Sequence, residues 1–99
     1  MSTNNEVNIG SVSNPSKVFQ NAKKTYGNNV MIEVSDNKNK KYKIFNPYKK
    51  KWFHFGDNRY SDFTKTQDDE KRRLFRERNH KWSDADMYSP AFASYWLLW

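Results

Sequence analysis

Residues 41–55 read KYKIFNPYKKKWFHF. Two short runs within it, Lys41–Phe45 and Lys50–Phe55, alternate lysine with aromatic or branched apolar residues, the period-two signature of a half-buried strand. Between them Asn46-Pro47-Tyr48-Lys49 suits a type I turn, with Asn first and Pro second, because proline's fixed φ matches the second position of that turn. The segment therefore reads as an antiparallel hairpin. A tight turn at 46–49 sets Phe45 opposite Lys50, Ile44 opposite Lys51, Lys43 opposite Trp52 and Tyr42 opposite Phe53. One face then carries Tyr42, Ile44, Phe53 and Phe55 and is a core face. The other carries Lys41, Lys43, Phe45, Lys50, Trp52 and His54, cations interleaved with aromatics. A one-residue slip would exchange the two faces.

Working outward, Asn29–Ser35 alternates Val30, Ile32 and Val34 against Met31 and Glu33, a third strand joined to the hairpin by a turn at Asp36-Asn37-Lys38-Asn39. Ahead of it a helix is predicted. Asn14 is a good N-cap, Pro15 fits the first helical position, Gly27 fits the position past the end, and Val18, Phe19, Ala22 and Tyr26 share a face. Residues 1–13 are polar and aperiodic and are expected to form a disordered tail, leaving 14–99 as one basic domain. Downstream, Gly56–Arg59 is a loop. Thr64 and Gln67 have capping-box spacing, which predicts a helix from Lys65 to Asn79. Its acids come first and its arginines last, as the helix dipole favours, with Leu74 and Phe75 on the buried side, flanked by the stems of Lys71 and Arg78, and Arg72, Arg73 and Arg76 opposite. Ser89-Pro90 opens a last short helix, Ala91–Trp99, apolar on nearly all sides, which must be covered by this domain or by a partner. The fold class that follows is α+β: a small three-stranded antiparallel meander with an N-terminal helix and two C-terminal helices.

The chain of 99 residues is poor in apolar residues overall, with a mean hydropathy of -1.17. Four Trp, six Tyr and seven Phe make up much of the difference. There is no cysteine, hence no disulfide framework and no thiolate metal site. The N-terminus lacks the apolar run of a secretory signal, and the most apolar stretch, Ala91–Trp99, is too short to span a bilayer, so neither secretion nor membrane insertion is expected.

The net charge of +7 is concentrated in one place. Residues 37–56 hold seven lysines, Lys38, Lys40, Lys41, Lys43, Lys49, Lys50 and Lys51, and no acid, while the rest of the chain balances eleven basic against eleven acidic residues. Such a cluster serves either solubility or attraction to a polyanion. Lysines neutralise phosphates and release counterions, and the interleaved Phe45, Trp52 and His54 could stack on bases, at about 1–3 kcal/mol each for exposed aromatics. Arg72, Arg73 and Arg76 are secondary candidates for phosphate contact, against the alternative of ion pairs with Asp69 and Glu77 at helical spacing. Tyr95, Trp96, Leu98 and Trp99 are candidates for an interface with another protein or a second copy, or else for a core plug. No phosphate loop or nucleophile elbow is present, and His54, Asp57 and Asp62 are the residues that a small metal-dependent nuclease would have to use, at spacings that give weak support. No cofactor, bound metal or catalytic residue is expected.

His54-Phe55-Gly56-Asp57, Tyr60, Asp62-Phe63-Thr64, Asp68, Phe75, Arg78, Trp82 and Trp96-Leu97-Leu98-Trp99 occur in an order that resembles a family of small basic proteins of unknown function encoded by large DNA viruses of eukaryotes. The resemblance runs from Lys41 to Trp99. That family's pattern often carries histidine where Thr66 and Asn79 stand here, which argues against histidine chemistry at those two positions. The resemblance implies a viral source, with the protein in the virion or the infected cell. The function expected is non-enzymatic nucleic-acid binding of low sequence specificity, DNA ahead of RNA, as a genome-compacting or accessory factor. The alternative is a virion structural protein, a minor capsid or core component, that docks through its aromatic C-terminus on another virion protein or on itself.

Overall fold

The computed structural model describes residues 8–99. In chain order it contains α1 (Ile9–Val12), α2 (Pro15–Tyr26), β1 (Ile32–Val34), β2 (Lys40–Asn46), β3 (Lys51–Asp57), α3 (Phe63–Thr66), α4 (Asp69–Arg78), a 3-10 turn (His80–Asp84), α5 (Pro90–Ala93) and a π-helical turn (Ser94–Leu98). The sheet is antiparallel in the order β1-β2-β3, as the meander required.

The hairpin closes one step wider than a type I turn. Asn46 pairs with Lys51, Phe45 with Trp52, Ile44 with Phe53, Lys43 with His54 and Tyr42 with Phe55. Four residues therefore form the loop. The Asn46 carboxamide oxygen accepts from the amides of Tyr48 (2.9 Å) and Lys49 (3.3 Å), its carbonyl accepts from the Lys50 amide (2.8 Å), and Lys50 takes a left-handed φ of 56°. The register thus differs by two residues from the one a tight turn sets. Because side chains alternate with period two, the shift leaves both faces as read.

Tyr42, Ile44 and Phe55 are wholly buried on the core face, where Val18 and Ala22 of α2 and Ala93, Leu97 and Leu98 of the C-terminal segment complete the core. α2 starts and stops where its sequence says: Asn14 accepts from the Lys17 amide and Gly27, at φ 102°, ends it. In β1 the apolar alternation is only partly used. Val30 and Ile32 pack on the core, while Val34, at the far end of a three-residue edge strand, stays exposed.

Three expectations need correction. The polar stretch before Asn14 is not all tail: Ile9–Val12 forms a helical turn, the Asp62 amide donates to the Val12 carbonyl (3.0 Å), and Ser13 is buried. Residues 1–7 lie outside the described residues. Ser13 is polar because it is a hydrogen-bond hub. The Tyr42 hydroxyl donates to Ser13 Oγ (2.7 Å), Ser13 reaches Thr64 Oγ1 (3.2 Å), and Thr64 donates to the Asp62 carboxylate. Thr64 is therefore spent inside the protein and does not cap a long helix. The helix expected from Lys65 breaks at Gln67, whose φ is 55°, and restarts at Asp68, whose carboxylate accepts from the amides of Glu70 and Lys71 (both 3.1 Å). The C-terminal segment, expected as one helix, is a single α turn that widens into a π turn, and its Ala93, Leu97 and Leu98 are buried in the chain's own core.

Candidate functional site

The seven hairpin lysines separate into three groups. Lys41 is only 2% exposed, and its ammonium lies 3.1 Å from Asp62 Oδ2 on a carboxylate with no solvent contact. Its stem passes over Gly56: a Cβ there would stand 3.1 Å from Lys41 Cβ and 2.9 Å from Leu98 Cδ1, so the glycine is what lets the lysine fold inward. Burial pushes the Lys41 ammonium's pKa down, against the pull of Asp62. Expected as a solvent-facing phosphate contact, it is an internal ion pair. Lys43 is half-buried, with its ammonium 3.6 Å from both Glu33 and Asp36 and 4.8 Å from the Trp52 ring centre. Those acids come from β1 and the turn after it, just outside the acid-free stretch, and cross-strand pairing of Glu33 with Lys43 brings one of them over. Lys40 is half-buried at the mouth of a groove described below.

Lys38, Lys49, Lys50 and Lys51 are exposed, and among the described residues none of them makes an ion pair. They sit at opposite ends of β2, Lys38 in one turn and the other three at the next, on the order of 20 Å apart for a seven-residue strand. Tyr48, the most exposed large side chain at the hairpin tip, leans edge-on against Tyr88 at 5.7 Å.

The aromatics of the outer sheet face are occupied with one another. Phe45 meets Trp52 edge-to-face at 5.5 Å, both half-buried, and His54 Nδ1 lies 2.7 Å from Ser35 Oγ. Trp52 thus has Phe45 on it and Lys43 over it, which leaves little free ring for a base.

The arginines of α4 part company as well. Arg73 is bridged to Glu70 (2.5 Å) and Glu77 (2.6 Å), a solvated pairing at helical spacing. Arg72 and Arg76, expected to face solvent, turn toward the C-terminal segment. Their Nε atoms donate to the main-chain oxygen of Trp99 at 2.7 and 3.1 Å, with the guanidinium groups over Phe63 and Tyr95. Burial, and then the neighbouring Arg72, lower the Arg76 pKa. Of the interface candidates, Leu98 is buried in the chain's own core and Trp99 stacks on Phe75, rings 4.5 Å apart and 9° from parallel. Tyr95 is half-buried, and Trp96, 41% exposed, is the most exposed of the four, with its indole N–H donating to the Ser83 carbonyl (3.3 Å) and its ring against Phe92 and Tyr95.

A groove of about 1000 Å³ runs between the open end of the hairpin, the loop after β3, α4, the 3-10 turn and α5. Lys40, Arg59, Lys71 and Arg78 line it, and the acid among its lining residues is Asp57, bound by Arg59 at 2.7 Å. The hydrogen bond from Arg59 holds the Asp57 carboxyl down at about 2. Trp82 meets Phe75 edge-on at 5.8 Å and Phe75 continues into Trp99, while Tyr60, 62% exposed, also lines the groove with the Arg59 guanidinium 5.4 Å from its ring centre. The sequence carried one sign of it: Lys71, Leu74, Phe75 and Arg78 fall on one face of α4. That face, read as the buried side, is the groove wall, and Leu74 is exposed there.

His54, Asp57 and Asp62 are not brought together. Each has its own partner, Ser35, Arg59 and Lys41, and among the described residues no three metal-ligating side chains converge.

The arrangement defines a small α+β protein whose charge is split between two exposed turns and one basic, aromatic-walled groove. Residues 30–79 match the Family of unknown function (DUF5754), and the chain belongs to that family. The matched stretch begins ahead of Lys41, where the sequence resemblance was placed, and ends short of Trp82 and Trp96–Trp99. No curated protein and no solved structure matches the chain significantly.

Proposed function

We propose that the protein binds nucleic acid through its phosphates, with low sequence specificity and without transforming it. The observation that carries this reading is that Lys38, Lys49, Lys50 and Lys51 are exposed and without ion pairs among the described residues, within the stretch 37–56 that carries the chain's whole net charge of +7. Ammonium groups in that state displace the counterions condensed on a phosphate backbone, and the release drives binding irrespective of sequence. DNA is the favoured target. The resemblance to proteins of large DNA viruses supports a genome-compacting or accessory role in the virion or the infected cell. The second reading, a virion structural component docking through the C-terminal aromatics, has Trp96 as its main exposed contact.

Titration of a duplex and of a single strand across a salt series tests the proposal. Up to four lysine–phosphate contacts give a slope of log K against log salt as steep as about -3.6 on B-form duplex. Absence of binding at low salt would reject nucleic acid as the partner and leave the structural reading.

A further inference from the structure

We infer that the groove beside α4 is a binding site for unpaired nucleotides, whose bases lie against Trp82 and Tyr60 while Lys71 and Arg78 hold the flanking phosphates. The inference rests on the nucleic-acid reading and adds to it a second surface, distinct from the exposed turns, with a different preference.

The chemistry of the walls selects the occupant. Trp82, Phe75 and Trp99 form a continuous aromatic ladder, edge-on at 5.8 Å and then stacked at 4.5 Å, and Trp82 at its outer end keeps 36% of its surface exposed. Tyr60, 62% exposed, lines the same space from the loop after β3, with the Arg59 guanidinium 5.4 Å from its ring centre, so a base would use the ring face turned away from Arg59. A duplex keeps its base faces inside its own stack and offers a protein only phosphates and base edges, so it gains nothing from exposed rings in a concavity. An unpaired strand presents both base faces and phosphates, and pairs each with what the groove supplies: about 1–3 kcal/mol per stacked base and a cation beside it. Lys71 and Arg78 lie two turns apart on one face of α4, about 10 Å along its axis, which lets them engage separate phosphates. The carboxylate that would repel a phosphate, Asp57, is neutralised by its bridge to Arg59. An acidic peptide would use the cations but leave the ladder without a partner.

The experiment compares a labelled twenty-nucleotide oligothymidine with a twenty-base-pair duplex for the full chain and two variants: Tyr60→Ala with Trp82→Ala in the groove, and Lys49→Gln, Lys50→Gln and Lys51→Gln at the hairpin tip. The expected result is that the groove variant loses about tenfold or more in affinity for the single strand and less than twofold for the duplex, whereas the tip variant loses affinity for both. Tyr60→Ala alone, at a largely exposed residue, provides the same comparison if the double variant is unstable. In parallel, a 5-iodouracil oligonucleotide is photocrosslinked to the full chain, with Tyr60 and Trp82 as the expected adducts. Equal losses for both nucleic acids, no loss for either, adducts confined to Tyr48 or Trp96, or displacement of the strand by polyglutamate of equal charge as readily as by unlabelled strand would each overturn the groove assignment while leaving the phosphate-binding reading standing. Failure of the unaltered protein to bind either nucleic acid overturns both.

Discussion

The ammonium of Lys41 and the carboxylate of Asp62 meet at 3.1 Å, 21 residues apart in the chain and almost wholly out of solvent. Removing one partner of such a pair strands the other in a low-dielectric interior. Lys41→Gln and Asp62→Asn are each expected to cost about 3–5 kcal/mol in urea denaturation, enough to threaten folding. Lys49→Gln, at a fully solvated site, should stay within about 0.5 kcal/mol. Equal midpoints for Lys41→Gln and the unaltered protein would mean that the pair does not form. A charge-removal variant that includes Lys41 measures folding, not binding.

Removing the three tip charges has a distinct signature. The Lys49→Gln, Lys50→Gln, Lys51→Gln variant should lower the magnitude of the salt slope on duplex by about 2–3 while the circular dichroism spectrum is unchanged. An unaltered slope would show that these lysines touch no phosphate.

In the C-terminal segment, burial separates the residues that hold the core from the one that faces out. Leu98→Ala should cost about 2–5 kcal/mol in thermal or urea unfolding. Trp96→Ala, at a partly exposed ring, should cost less than Leu98→Ala, and the light-scattering mass is expected to be the same as for the unaltered protein. A change in mass for Trp96→Ala would instead support the structural reading, with Trp96 as a docking residue.

Arg59 makes the acidity of Asp57 a local reporter. The folded carboxyl titrates at about 2, below its ordinary 3.8. A depressed acid contributes stability that is complete above the unfolded value and is lost as pH falls through about 2. Both side chains are substantially exposed, so the contribution is small, and the observable is the titration itself. Carboxyl chemical shifts should place the Asp57 midpoint near 2, and Arg59→Gln should move it up toward 3.8. A midpoint that stays put in Arg59→Gln would exclude the bridge as its cause.

What the sequence made legible was whatever depends on near neighbours. α2 could be bounded because Asn14, Pro15 and Gly27 signal locally, and the two sheet faces survived a misjudged turn because a two-residue slip preserves alternation. The turn itself was illegible: nothing about a lysine at position 50 announces a left-handed φ. The start of α4 was misplaced because Thr64 and Asp68 are both plausible caps, and only the fold reveals that Thr64 is engaged with Ser13 and Asp62. The burial of Lys41 depends on a carboxylate beyond the hairpin. The groove depends on six segments meeting, the C-terminal turn with Trp99 among them, of which only the α4 face left a periodic trace.

The core draws on both flanks of the stretch that carries the family match. Within 30–79 it holds Tyr42, Ile44 and Phe55, whereas Val18, Ala22, Ala93, Leu97 and Leu98 come from outside. Asn21 Nδ2 donates to the Leu97 carbonyl at 3.0 Å across 76 positions, and Ser13 reaches Thr64 across 51. The match therefore marks a unit of similarity and not a unit of folding: residues 30–79 excised alone should give a random-coil spectrum. Contacts this distant must close large loops before burial rewards them, so refolding of the whole chain should be slower than that of a helical bundle of the same length, with the helices flanking the sheet arriving together.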